Sequence, residues 1–298
     1  MLTPALSMLA AESMLSLYPI FVKKIGLSLI HQVWARLLAY VAISAVFVDW
    51  AFIQSAFFSA DALIIALINL SHIFFSYEGF RNLDSGVSFA IFNTYPLMIL
   101  LIAGVLWNNI YLLVLLGLGL FILGERTNKV EDKVEDGSKD GSESKGGSES
   151  KDGSKGQSPD FLYGIIMILF AALTEALIYF MVRRIKTDNH WNHVFLSYFV
   201  GLVAITGYMF YTNNDFGKIA LPRMGLAIGL NGFIGAVAYF LRFFAASNLK
   251  ASIFAPLAYF GMVMSYVYGI AFNQETLSWE KVGGTICILA ANYLAPKS

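Results

Sequence analysis

Residues 128–158 read NKVEDKVEDGSKDGSESKGGSESKDGSKGQS, short imperfect repeats of Gly, Ser, Lys, Glu and Asp without an aromatic residue. Such a segment buries too little apolar surface to offset the entropy of ordering it, so a solvated, mobile linker is expected there. A block of apolar segments stands on either side, and the two blocks look like versions of one unit. The linker is the expected seam between two halves.

The whole chain is 57% hydrophobic and only 13% charged, against about 25% charged residues in a soluble domain. Outside the linker, apolar runs of roughly 20 residues recur, the length that crosses a hydrocarbon core. An all-α integral membrane protein follows, because these runs lack the alternation of a barrel strand and every backbone group must be satisfied within its own segment. The formal net charge is zero, so nothing points to nucleic acid, and the lone Cys287 excludes an intrachain disulfide framework. No cleavable signal peptide is evident, since no basic residue precedes the first apolar run.

Ten spans are expected: Thr3–Val22, Gln32–Val48, Ala62–Phe80, Ser85–Leu106 and Ile110–Leu123, then Phe161–Val182, Val194–Tyr211, Met224–Ala246, Ser252–Phe272 and Val282–Leu294. Several features match between the halves in the same order. Glu12 with Lys23-Lys24 answers Glu175 with Arg183-Arg184. HQVWARLLAYVAI (31–43) lines up with NHVFLSYFVGLVAI (192–205), and FRNLDSGVSFAIFNTYP (80–96) loosely with ASNLKASIFAPLAYFG (246–261). Five spans per half require opposite orientations, so two inverted five-helix repeats are expected, an arrangement that suits a transporter with its site between them. The basic residues lean toward an outside N-terminus. With that topology the inside holds Lys23, Lys24, Arg81, Arg126, Lys129, Lys218, Arg223, Lys281 and the linker lysines, against Arg183, Arg184, Lys186, Lys250 and Lys297 outside.

Polar residues within the spans mark the candidate site. A carboxylate at mid-bilayer costs about 2.5–3.5 kcal/mol and persists mainly where it faces protein or water. Glu12 and Glu175 both lie about two turns or more from a span end, positioned to carry a proton or to serve as counter-ions to an amine; a purely structural role is the alternative. Arg36 either pairs with a carboxylate, binds an anion or snorkels to the interface. Arg242, near the end of the eighth span, is expected at the interface. His72 is a candidate proton relay or a packing residue. His190 and His193, beside Trp191, are expected at an interface. Asn93, Thr94, Tyr95 and Pro96 interrupt the fourth span and Pro256 with Tyr259 the ninth, and matched interruptions point to a binding site. Gly225, Gly229, Gly232 and Gly235 read as a close-packing surface, with Asn231 as glue or cavity donor. The four histidines and one cysteine show no metal-ligand spacing, and neither a nucleophile–base pair nor a phosphate loop is present. No cofactor and no enzymatic activity are expected.

On these residues the chain resembles the drug/metabolite transporter superfamily, in its ten-helix EamA-like branch. LKASIFAPLAYFGMVMSYVYGIAFNQETLSWEKVGGTICILAANYL (249–294) looks like the family's last two helices, with Glu275 and Leu277 in the connection and Gly283-Gly284 opening the final one. ARLLAYVAI at Arg36 and NTYPLMILL at Pro96 are similar to its second and fourth helices. Departures are Asn108-Asn109, where the family often has a Glu, Glu12-Ser13, where many members carry Trp-Gly, and the long charged linker. The resemblance implies EamA-like repeats at 1–127 and 159–298 around the 128–158 linker, a central cavity, and both termini in the cytosol. That topology, against the lean of the basic residues, is the one expected.

The expected function is secondary transport of a small polar metabolite, such as an amino acid or amine, by alternating access with optional proton coupling. Glu12, Glu175, Asn93, Tyr95, Asn231 and Tyr259 would serve the site, with His72 and Arg36 behind them. A nucleotide-sugar-like exchanger and a non-transporting membrane scaffold are the alternatives. The expected partners are the small-molecule substrate and the lipid bilayer of a plasma or inner membrane; a homodimer stays open.

Overall fold

The computed structural model describes residues 3–103, 112, 114–120, 122–123, 161–212 and 221–294. The linker at 128–158, Asn108-Asn109 and much of the expected fifth span lie outside them. The described residues are predominantly helical, with no strand among them. Seven helical stretches among them are long and apolar enough to cross a membrane: Pro4–Lys24, Leu29–Phe47, Ala60–Asn82, Ser85–Ile102, Phe161–Arg184, His190–Tyr211 and Leu221–Asn248. Large apolar side chains face outward, among them Phe58 at 83% exposed, Phe233 at 82% and Leu67 at 61%, while arginine and glutamate are buried. Water would penalise that distribution; a lipid surround explains it.

The first stretch consists of α1 (Pro4–Leu15) and α2 (Tyr18–Lys24). It breaks at Ser16-Leu17 because Pro19 has no N–H to continue the ladder. Next come α3 (Leu29–Phe47), a short α4 (Trp50–Ala56) and α5 (Ala60–Asn82). The sequence reading did not anticipate α4; Asp49 starts it by accepting the N–H groups of Ala51 and Phe52 at 3.0 and 3.2 Å. The fourth stretch is α6 (Ser85–Phe92) and α7 (Tyr95–Ile102), broken just before Pro96 as expected.

In the second half, α8 (Phe161–Arg184) packs along α5 and is followed by α9 (His190–Tyr211). The seventh stretch joins α10 (Leu221–Leu230) through a π-helical turn at Asn231–Ala236 to α11 (Val237–Asn248). Then come α12 (Ala251–Asn273) and α13 (Trp279–Tyr293). Two expectations need correcting here. The helix α12 runs unbroken through Pro256, so the interruptions of the fourth and ninth spans are not matched. Of the four glycines, a Cβ added at Gly225 or Gly229 would meet nothing within 4 Å; only at Gly232, against Ile43, and at Gly235, against Tyr18 and Tyr40, is there no room for one.

The two blocks interdigitate in one core. At one end of the bundle Lys24 donates to the Phe272 carbonyl and Arg223 to that of Gly26. At the other, Arg184 pairs with Asp61 at 2.9 Å and Asn189 donates to the Phe47 carbonyl at 2.7 Å. The stretch Pro4–Lys24 therefore finishes at the first end and Phe161–Arg184 at the second, so they run in opposite directions.

Glu275 ties the halves together at the first end. Asp84 occupies the N-cap of α6 but makes no capping bond, being paired with Lys281 at 2.6 Å. Glu275 takes over: its carboxylate accepts the Ser85 N–H at 2.9 Å and the Ser85 hydroxyl at 2.6 Å, with Lys23 at 3.6 Å. An anion on the exposed N–H groups of a helix start is favoured by hydrogen bonding and by the helix dipole. Glu275→Ala should cost about 2 kcal/mol, read as a lower melting temperature of the detergent-purified protein, with Glu275→Gln losing less. Equal melting temperatures for all three proteins would show that this cap does not hold the halves together.

Candidate functional site

Charge sits at the centre of the bundle. Glu12 on α1, Glu175 on α8 and Arg242 on α11 are 0%, 4% and 2% exposed. Arg242 stands between the carboxylates, its Nη2 at 3.4 Å from Glu12 Oε1 and its Nε at 3.3 Å from Glu175 Oε1. The contacts are electrostatic and loose: both Glu12 oxygens, Glu175 Oε2, and Arg242 Nε and Nη2 are buried without a hydrogen bond. Burying an ion costs several kcal/mol after relaxation, so each group persists because its opposite is beside it. A Cβ at Gly261 on α12 would lie 2.6 Å from Glu12 Oε2; glycine there leaves the carboxylate its room.

His72 on α5 extends the cluster. Its Nδ1 lies 3.1 Å from the Ala171 carbonyl and 3.2 Å from Thr174 Oγ1. A carbonyl oxygen only accepts, which assigns the ring hydrogen to Nδ1. Nε2 then accepts from the Tyr239 hydroxyl at 3.1 Å and stands 3.5 Å from Glu175 Oε2. The rings of Tyr95 and Phe92 lie 5.0 and 5.8 Å from the Arg242 guanidinium.

Arg36 occupies a second buried position, 2% exposed. Its guanidinium carbon lies 4.8 Å from the ring centre of Tyr18, 5.1 Å from Tyr40, 5.6 Å from Tyr77 and 5.0 Å from Tyr239. A desolvated cation over an aromatic face gains about 2 kcal/mol. Asn231, at the start of the π-helical turn, fastens the box by accepting from the Tyr18 and Tyr77 hydroxyls at 2.8 and 3.2 Å. Tyr18 and Tyr40 share a hydrogen bond of 2.7 Å. The π-helical turn lets this span approach the box, and Gly235 is small because a Cβ there would overlap the hydroxyls of Tyr18 and Tyr40. A cavity of about 20 Å³ lies between Arg36 and Arg242, lined also by Tyr18, His72, Ser76 and Tyr239.

Of the residues singled out from the sequence, Glu12, Glu175, His72 and Tyr95 meet around Arg242, while Asn231 and Arg36 meet at the tyrosine box. Asn93 is buried at the end of α6, where its side chain donates to the Phe89 carbonyl at 2.8 Å. Tyr259 stands apart, half-buried on α12. Arg242 corrects the sequence reading, since it is central rather than interfacial. His190 and His193 begin α9, as expected of a span end, but turn into the protein, His193 being 1% exposed with Nε2 at 2.8 Å from the Ile185 carbonyl. The box of Tyr18, Tyr40, Tyr77 and Tyr239 was missed because its members come from four separate stretches.

This outward-apolar, inward-ionic helical bundle is an integral, multi-pass membrane protein. Residues 162–295 match the EamA-like transporter family, which belongs to the drug/metabolite transporter superfamily. Members of the family are transporters rather than enzymes. Among solved structures, a crystal structure of a protein 13% identical superposes with a TM-score of 0.53 over 98% of this chain and 96% of that one, a likeness of fold. No curated protein matches the chain.

Removing one member of a buried ion cluster strands its partners, at about 3–5 kcal/mol. Arg242→Gln should therefore lower the melting temperature most, because two carboxylates lose their cation. Combining it with Glu175→Gln should recover part of the loss. Strictly additive losses in the double variant would show that the two residues do not interact.

Proposed function

We propose that the chain is a secondary transporter that moves a small polar metabolite, an amino acid or amine, by alternating access between two inverted five-helix halves. One observation carries the reading. Glu12 and Glu175, at corresponding positions of the two blocks, reach the same arginine from opposite halves. The opposite running directions of Pro4–Lys24 and Phe161–Arg184 support the inversion. With both glutamates ionised and Arg242 cationic, the triad carries one net negative charge. A proton or a substrate ammonium group balances it.

Coupling follows from the looseness of the triad. Protonating one glutamate removes its attraction for Arg242 and leaves the guanidinium to the other. That changes which of α1 and α8 is drawn to α11, a bias of the kind that favours one of two arrangements of the halves. The cavity of about 20 Å³ has room for roughly one water, so the halves must part around the site before a metabolite enters. A large nucleotide sugar fits the site less well, since Arg242 is already engaged by two carboxylates.

The test is uptake into proteoliposomes of a panel of amino acids, amines and nucleotide sugars, with and without an inward proton gradient. Wild type should take up an amino acid or amine faster with the gradient, and Glu12→Gln with Glu175→Gln should reduce that uptake at least about ten-fold, the loss of one charge-assisted contact or more. Uptake that ignores both the gradient and the substitutions would reduce the glutamates to packing. No uptake of any solute would favour the scaffold.

A further inference from the structure

A cavity of about 700 Å³ opens at the second end of the bundle, where α8 finishes at Arg184 and α9 begins at His190. That volume lies within the range of about 300–1,000 Å³ usual for ligand sites. Its walls are the end of α8, the connection to α9, the first turn of α9 and the end of α11, all from the second half of the chain. The cavity therefore does not lie between the halves, and it is separate from the charges around Arg242.

Its lining carries charges of both signs and acceptors without donors. Arg183 is fixed against α11, donating from Nε to the Ala246 carbonyl at 3.1 Å and from Nη2 to the Leu249 carbonyl at 2.8 Å. Those carbonyls position the guanidinium but bring no full counter-charge. Lys186 and Asp188 are exposed, and neither forms an ion pair among the described residues. His193 is 1% exposed, with Nε2 at 2.8 Å from the Ile185 carbonyl. A carbonyl only accepts, so the ring hydrogen sits on Nε2 and Nδ1 of the neutral ring is left as an acceptor. That Nδ1 is buried without a hydrogen bond. So is Nδ1 of His190, whose ring stacks on that of His193 at 5.7 Å and 14°. Buried polar atoms left unpaired are costly, and both rings line the cavity.

A phosphate beside a primary ammonium group complements this set. Lys186 and Arg183 suit phosphate oxygens, while Asp188 and the histidine nitrogens can accept N–H bonds. The source follows from the level in the membrane. The cavity lies at the ends of two spans, where lipid head groups stand and where basic pockets between helices take lipid phosphates. We infer that this cavity binds the head group of phosphatidylethanolamine, its phosphate on Lys186 and Arg183 and its ammonium facing Asp188, His190 and His193. Phosphatidylcholine has the same charges but no N–H to donate, so the acceptors select against it. The site belongs to the second half alone and does not depend on the transport reading above.

The experiment measures the melting temperature of the full chain, purified in detergent, as short-chain phosphatidylethanolamine, short-chain phosphatidylcholine or water-soluble glycerophosphoethanolamine is added. A ligand of the folded state raises that temperature. Phosphatidylethanolamine should reach half its full effect at about ten-fold lower concentration than phosphatidylcholine, the worth of one charge-assisted hydrogen bond. The soluble compound should act more weakly than the lipid that carries its head group. Lys186→Gln should weaken the response to both lipids, because both carry the phosphate. Asp188→Asn should bring phosphatidylethanolamine down toward phosphatidylcholine. Both side chains are exposed, so these variants should fold. His193→Phe should also reduce the preference; if it does not fold, the two exposed variants decide. Equal responses to the two lipids, an unchanged preference in Asp188→Asn, an unchanged response in Lys186→Gln, or no response to phosphatidylethanolamine would each overturn the site. Glycerophosphoethanolamine acting as strongly as the lipid would overturn the lipid assignment and leave a site for a soluble phosphoethanolamine compound.

Discussion

An arginine in the interior of a membrane protein has no solvent to return to, and Arg242 is held there by two glutamates and by the rings of Tyr95 and Phe92. That constraint organises the neighbourhood. The helices α1, α8 and α11 must converge for Glu12 and Glu175 to reach it, and α12 carries glycine at position 261 to let Glu12 in. His72, anchored through Nδ1 to α8, closes the far side of Glu175. The site is therefore also the place where the two halves of the chain grip each other, and any change of charge there acts on how they pack.

The membrane class and most spans were legible in the sequence because their signals are local. Run length marked the helices, and a carboxylate in an apolar run is rare enough to single out Glu12 and Glu175. Pro96 announced the break in the fourth stretch. Pro256 carried the same signal and misled, since α12 keeps its course around it. Arg242 was misplaced because its distance from the span end suggests snorkelling, whereas burial depends on which way the helix face turns. The tyrosine box had no local signature at all: Tyr18, Tyr40, Tyr77 and Tyr239 come together only in the folded bundle.

The likeness to the EamA-like family singled out Glu275 in the connection before the last helix, and the structure gives that residue a physical task. It is the cap of a helix in the other half of the chain, made necessary because Asp84, the natural capping residue by position, is turned to Lys281. A residue that marks the family in sequence thus serves the closure of one end of the bundle, some distance from the charges that would handle a solute.

The π-helical turn at Asn231–Ala236 sets the phase of everything after it. Such a turn accommodates one residue more than an α-helix would, and one residue corresponds to about 100° of rotation around the axis. Asn231 at its start addresses the tyrosine box, and Arg242 on the helix beyond it addresses the glutamates. Wound as a plain α-helix, the same span would hold the first of these contacts and carry the second roughly a quarter of a turn away. The wide turn acts as a fixed angular offset that lets one helix serve two differently placed charge centres.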